Sequence, residues 1–124
     1  MAFEYQAFEN GHILAIRTEE VLTMDDIYDI DFLIRSYCHQ IERNVHIIVD
    51  MMLTEAYPRN VLALNHEMKW IHEDKLGWVV FLSDNHYLNI LLDTAMHISG
   101  HNYIMLDNFD AAMNLVSMEY EPVY

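Results

Sequence analysis

Basic residues are scarce. Six Lys and Arg stand against 20 Asp and Glu in 124 residues, a formal net charge of −14. Nucleic acids are held mainly by Lys and Arg neutralising phosphates, so this composition excludes nucleic acid as a direct partner. An anionic membrane surface is disfavoured on the same ground, and no membrane partner is expected. Cysteine occurs once, at Cys38, which excludes an internal disulfide and any multi-cysteine metal site. Three glycines and two prolines leave little room for linkers or long loops. No apolar run approaches the roughly 18 residues needed to span a bilayer. No basic–apolar segment at the N-terminus resembles a signal peptide, so the expected location is the cytoplasm.

What is present supports one folded domain over residues 1–124. Hydrophobic residues make up 53% of the chain. A chain of this size buries roughly 65–70% of its unfolded surface, enough for an ordinary core. The acidic excess favours solubility and steers a basic partner. Eight histidines offset part of that charge as pH falls through about 6.5.

Three short apolar runs each end in an acidic residue, and a helical pattern follows each: Val45–Asp50, Trp78–Asp84 and Tyr103–Asp107. Near-continuous apolar runs are the mark of parallel strands buried on both faces. Upstream, Phe3, Tyr5 and Ala7 alternate with polar residues, and His12–Arg17 reads as a second strand. Glu9-Asn10-Gly11 between them predicts a tight hairpin with positive φ at Asn-Gly.

Thr23 is a good N-cap for a first helix, with Asp25 and Asp26 at the positive end of its dipole. Ile27, Ile30, Ile34, Tyr37 and Ile41 form its inner face, Cys38 falls on the apolar stripe, and the helix is expected to stop near Arg43-Asn44. Asp31 and Arg35 are spaced to pair on its outside. Val61, Leu64, Met68 and Ile71 predict a second helix ending near Asp74-Lys75. Asn85 caps a third with Leu88, Leu91, Leu92 and Ala95 inward and Gly100 as its stop. Asn108 caps a fourth with Ala112, Leu115 and Val116 inward, and the tail Glu119–Tyr124, which contains Pro122, is expected to leave the helix. The order is β-β-α-β-α-β-α-β-α. One five-stranded mixed sheet with helices packed on it, an α/β fold, is the simplest closure.

This order resembles the STAS family (sulfate transporter and anti-sigma factor antagonist domains), in particular its short stand-alone bacterial branch. His46-Ile47-Ile48-Val49-Asp50 looks like the family's central strand ending in Asp, and Asn108-Phe109-Asp110-Ala111-Ala112-Met113 looks like the start of its last helix. The resemblance implies protein–protein signalling, and related folds bind lipids or other small molecules. Regulatory members carry an Asp-Ser-Ser/Thr-Gly-like element at the entry to the helix after the central strand, where a kinase phosphorylates the hydroxyl. Here that stretch is Tyr57-Pro58-Arg59-Asn60-Val61, without Ser or Thr; the nearest hydroxyl is Thr54.

Two groups of residues are candidate sites. The first is the loop after the central strand: Thr54, Tyr57, Arg59 and Asn60 offer a hydroxyl, an amphipathic ring, one of six basic groups and a cap at a helix entry, suited to a partner protein or small ligand. The second is an acidic rim, Asp50, Ser83, Asp84 and Asp107, beyond the C-terminal strand ends, where ligands of open α/β sheets gather. Its carboxylates suit a hard cation, or a cationic or polyhydroxy ligand; the alternative is that each closes a turn or caps a helix. Asp50 and Ser83 also resemble parts of a response-regulator receiver, but the acidic pair after the first strand and the Lys after the last are missing.

His66 and His72 lie six apart and face different ways, and His97 and His101 lack an obvious third ligand, so no metal and no cofactor are expected. No nucleophile elbow, Ser-His-Asp order or glycine-rich phosphate loop occurs. The expectation is a non-enzymatic regulatory and protein-interaction module. The first alternative is a carrier with a cavity lined by some of the nine methionines and by aromatics, and the second is an enzyme on the acidic rim. Tyr5, Tyr120 and Tyr124, with an uncovered first strand, are candidates for a homodimer contact.

Overall fold

A computed structural model describes residues 3–120 of the chain. Its elements are β1 (Phe3–Phe8), β2 (Ile13–Thr18), α1 (Met24–Gln40), β3 (Val45–Asp50), α2 (Val61–Glu67), β4 (Leu76–Leu82), α3 (His86–Ser99), β5 (Ile104–Leu106) and α4 (Phe109–Tyr120). The five strands form one sheet in chain order, β1-β2-β3-β4-β5. β1 runs antiparallel to β2, and β2 to β5 are parallel. This is the mixed α/β sheet that the apolar pattern predicts.

Strand order decides where the helices go. Each right-handed crossover steps to the next strand in the same direction, so α1, α2 and α3 share one face. There Leu14, Ile16, Ile47, Val49 and Phe81 form one buried cluster with Ile27, Ile30 and Ile34 of α1, Leu64 of α2 and Leu88 and Leu92 of α3. The other face is covered by α4: Ile13, Ala15, Ile48, Val80 and Leu82 pack with Ala112 and Val116. Phe8 and Phe109 close that layer with rings 6.5 Å apart. β3 sits between the two layers and is buried along its whole length, which is why its sequence carries no alternation.

The helix ends follow the caps. Thr23 Oγ1 accepts the Asp26 amide at 3.2 Å, and the Asp26 carboxylate accepts the Thr23 amide at 2.8 Å, a reciprocal capping box. Asn85 Oδ1 accepts the Tyr87 and Leu88 amides, and Gly100 ends α3 at φ 74°. Asn108 Oδ1 accepts the Ala111 amide at the start of α4.

Five local expectations are corrected. The β1–β2 connection is a 3₁₀ turn over Glu9–Gly11, with positive φ at Glu9 (53°) and Gly11 (90°). α1 stops at Gln40 because Ile41 is already extended (φ −100°, ψ 134°). The second helix is broken at Met68 (φ −84°, ψ 58°) and continues as a 3₁₀ turn over Lys69–His72. Asp31 is not on the outside of α1. It is 1% exposed, Arg35 Nε donates to its Oδ2 at 2.9 Å, and the Trp70 amide donates to its Oδ1 at 2.8 Å. Glu119 and Tyr120 continue α4 rather than leaving it; residues 121–124, with Pro122 and Tyr124, lie outside the described residues, as does the side chain of Tyr120. Cys38 is in the core at 2% exposure, as its place on the stripe predicts.

Candidate functional site

The loop of residues 51–60 leaves the C-terminal end of β3 and is held to the segment before α1. The Glu55 and Ala56 amides both donate to the Glu20 carbonyl, at 2.8 and 3.0 Å, and the Leu22 amide donates to the Ala56 carbonyl at 2.8 Å. Val21 and Ala56 form a parallel bridge. These bonds satisfy backbone groups that would otherwise need water, and they fix the loop against the sheet.

Thr54 is the inner anchor of the loop. It is 4% exposed; its hydroxyl donates to the Glu19 carbonyl at 2.7 Å and lies 2.5 Å from Thr18 Oγ1. Because Thr54 spends its proton on Glu19, the single Thr18 hydroxyl proton is shared between Thr54 Oγ1 and the Asp50 carbonyl, 3.4 Å from Thr18 Oγ1. Thr54 thus points into the fold, away from any partner. Tyr57 is half-buried, packs against the main core, and carries the Arg59 guanidinium 5.3 Å from its ring centre, a cation–π arrangement. Arg59 itself is exposed. Asn60 is the N-cap of α2, accepting the Ala63 amide at 3.1 Å. With seven residues, α2 is a short helix, and Asn60 already occupies one of its free amides.

Four apolar side chains that the sequence reading did not place in a site are exposed on this loop or on the segments next to it, as Arg59 is. Val21 (53% exposed), Met52, Leu53 (60%) and Leu62 (70%) stand outward on the loop, its neighbour and α2. The available signal was negative: none of them fits a helical stripe or a strand alternation. Beneath the loop lies an apolar cavity of about 40 Å³, lined by Tyr57, Pro58, Met68, Trp70, Leu88 and Leu91. Pockets for drug-sized ligands run roughly 300–1,000 Å³, so this void is a packing gap with an apolar wall.

Two members of the acidic rim are buried and bonded locally, and two are exposed. Asp50 is buried; its Oδ1 accepts the Met52 amide at 3.1 Å and its Oδ2 accepts Arg17 Nε at 3.3 Å. Ser83 is buried, and its Oγ accepts the Asn85 amide at 3.1 Å, leading the chain into α3. Asp84 and Asp107 are exposed on separate strand ends. Among the described residues, no group of three or more His, Cys, Asp or Glu is arranged to hold a metal ion. His97 lies near Tyr103, whose hydroxyl donates to Asp93, whereas His101 Nε2 is 3.1 Å from the Gly77 carbonyl; the two histidines serve different contacts.

At the opposite, N-terminal ends of the strands, His46 is buried and its Nδ1 accepts the Trp78 amide at 2.9 Å. Gly77 is required there, because a Cβ at 77 would stand 2.4 Å from His46 Nδ1. A single core thiol completes the chemistry: burial, reinforced by Glu73 and opposed by Lys75, pushes the Cys38 thiol up to about 11.

No helix among the described residues is long and apolar enough to cross a membrane. No protein-family model matches the chain. No curated protein matches it either. Among solved structures, the chain is similar to an uncharacterised DUF3478-family protein with a SpoIIAA-like fold from Shewanella loihica PV-4. The two share 12% identity and superpose with a TM-score of 0.65 over 92% of this chain and 91% of that one. At that identity the likeness speaks to architecture: the chain has a SpoIIAA-like, that is STAS-like, fold.

Proposed function

We propose that this protein is a non-enzymatic interaction module that docks a partner protein through the surface around the loop of residues 51–60. The observation that carries the reading is the exposure of Met52, Leu53 and Arg59 on a loop bonded in place, with Val21 and Leu62 exposed on the adjoining segments. Exposed apolar groups gathered in one place mark contact surfaces, and an Arg beside them is a frequent anchor. Little order is lost on binding when the backbone is already held, which favours affinity. The sealed hydroxyl of Thr54 supports a module that works without phosphorylation in this loop.

The test is recovery of a complex from the native host with tagged protein and a Leu53→Asp/Arg59→Ala variant. Both residues are exposed, so the variant keeps its melting temperature; Tyr57 is left alone because it packs against the core. A partner held by the native protein and lost by the variant supports the reading. A partner held equally by both overturns the site.

A second reading, a carrier of an apolar small molecule, draws on the cavity beneath Tyr57 and Pro58, whose lining is apolar apart from Thr18 and the Tyr57 hydroxyl. It requires the loop to rise, because the present volume of about 40 Å³ admits no alkyl chain. Native mass spectrometry of freshly purified protein decides: a retained mass of a few hundred daltons supports the carrier, and bare protein overturns it.

A further inference from the structure

The open edge of the sheet and the flank of α1 form a groove unlike the loop surface. β1 pairs with β2 on one side only, so the backbone groups along its outer edge have no strand partner among the described residues. Tyr5 of β1 is 47% exposed and meets the Tyr37 ring edge-on at 6.4 Å. From α1, Tyr28 and Phe32, one turn apart, are 55% and 63% exposed. Together with Phe3, Tyr37 and Asp29 they line a groove of about 650 Å³ between strand and helix. Two large aromatics on the wet side of a helix are not needed for the core, which Ile27, Ile30 and Ile34 already supply from the other side.

Charge selects the occupant. Asp29 lies in the groove, Asp25 stands exposed one turn before it, and no Lys or Arg lines the groove among the described residues. A second copy of the chain would bring these carboxylates against their own duplicates, between molecules that each carry −14. A cationic segment meets the opposite situation: carboxylates for its charge and aromatic faces for its ammonium or guanidinium groups.

We propose that the β1 edge takes an extended segment of a basic partner protein as a sixth strand, with Lys or Arg side chains at alternate positions lying over Tyr5, Tyr28 and Phe32 beside Asp29. Backbone hydrogen bonds along β1 supply the pairing, and the groove reads every second side chain, the division of labour of strand-addition recognition. β1 has six residues, which sets the length of segment it pairs. The surface lies two strands away from β3 and does not depend on the loop of residues 51–60.

The probe is an eight-residue peptide alternating Lys and Thr, titrated into the isotope-labelled full chain. One control replaces Lys by Glu, and a second N-methylates alternate backbone amides on the pairing edge. The expected result is shifted and slowly exchanging amides over Phe3–Phe8, with both controls silent. Tyr28→Ala/Phe32→Ala weakens binding about tenfold at an unchanged melting temperature, since both residues are exposed; Asp29→Lys is a second, independent variant with the same expected direction. Absence of binding overturns the proposal, as does binding that survives N-methylation or the double variant. A native dimer whose β1 amides are already protected without peptide also overturns it, because the edge then belongs to a second copy.

Discussion

Asp31 Oδ1 accepts the Trp70 amide at 2.8 Å, joining the middle of α1 to the 3₁₀ turn that follows α2. Residues 39 apart in sequence are held by one carboxylate that is 1% exposed. Its other oxygen takes Arg35 Nε and Nη2, both at 2.9 Å. Asp31→Ala leaves the Trp70 amide buried without an acceptor, and the expected loss is about 2–3 kcal/mol, the range for hydrogen bonds to charged groups plus an orphaned donor. Asp31→Asn keeps an acceptor oxygen and loses less. Urea unfolding of the two variants checks the order, and equal losses would contradict it.

The Gly77 position predicts non-additive behaviour. A methyl at 77 would collide with the His46 ring, 2.4 Å from Nδ1 and 2.6 Å from Cε1. Gly77→Ala is expected to cost about 1–3 kcal/mol through overpacking. His46→Ala removes the obstacle, so the double variant should be more stable than the sum of the two single losses implies. A double-mutant cycle by thermal unfolding measures this directly, and strict additivity would refute the contact.

Thr54 and Thr18 form a buried hydroxyl pair at 2.5 Å, with Thr54 bonded onward to the Glu19 carbonyl. Thr54→Val preserves shape but leaves that carbonyl without its donor, and Thr18 keeps only its 3.4 Å bond to the Asp50 carbonyl. The expected cost is about 1–2 kcal/mol. Thr54→Glu, the usual imitation of a phosphate, forces a charge into the same space and should unfold the loop or the protein. A folded Thr54→Glu variant with native melting temperature would show that this hydroxyl is free to move outward.

Cys38 gives the pH dependence. Its thiol is raised from 9.0 to about 11, first by burial, then by Glu73, with Lys75 opposing. The unfolded chain releases this proton near pH 9 and the folded chain only near 11, so unfolding becomes easier across that interval. Stability is full below pH 9 and falls by on the order of 2 kcal/mol by pH 11. Cys38→Ala, measured over the same range, should lack this component. Native protein at pH 8 should also react slowly with a disulfide reagent, since the thiolate is the nucleophile.

Much of this architecture was legible without coordinates. Val45–Asp50 could be read as a central parallel strand because burial on both faces removes the need for alternation. Thr23, Asn85, Asn108 and Gly100 marked helix ends because caps are local chemistry, decided within three or four residues. Asp31 was misjudged because its i, i+4 neighbour Arg35 offered a complete local explanation, while the amide that buries it comes from Trp70. Thr54 looked available for the same reason; Thr18 and Glu19, which engage it, are more than 30 residues away.

The chain alone therefore determined the periods of burial, the caps and the order of strands and helices, since these depend on neighbours within a turn or a pleat. Only the tertiary structure decided which polar groups are enclosed, that among the described residues α4 alone covers one face, and that Tyr28, Phe32 and Tyr5 share a groove. Those outcomes rest on residues brought together across tens of positions, where hydrogen-bond satisfaction and packing, rather than local preference, set the free energy.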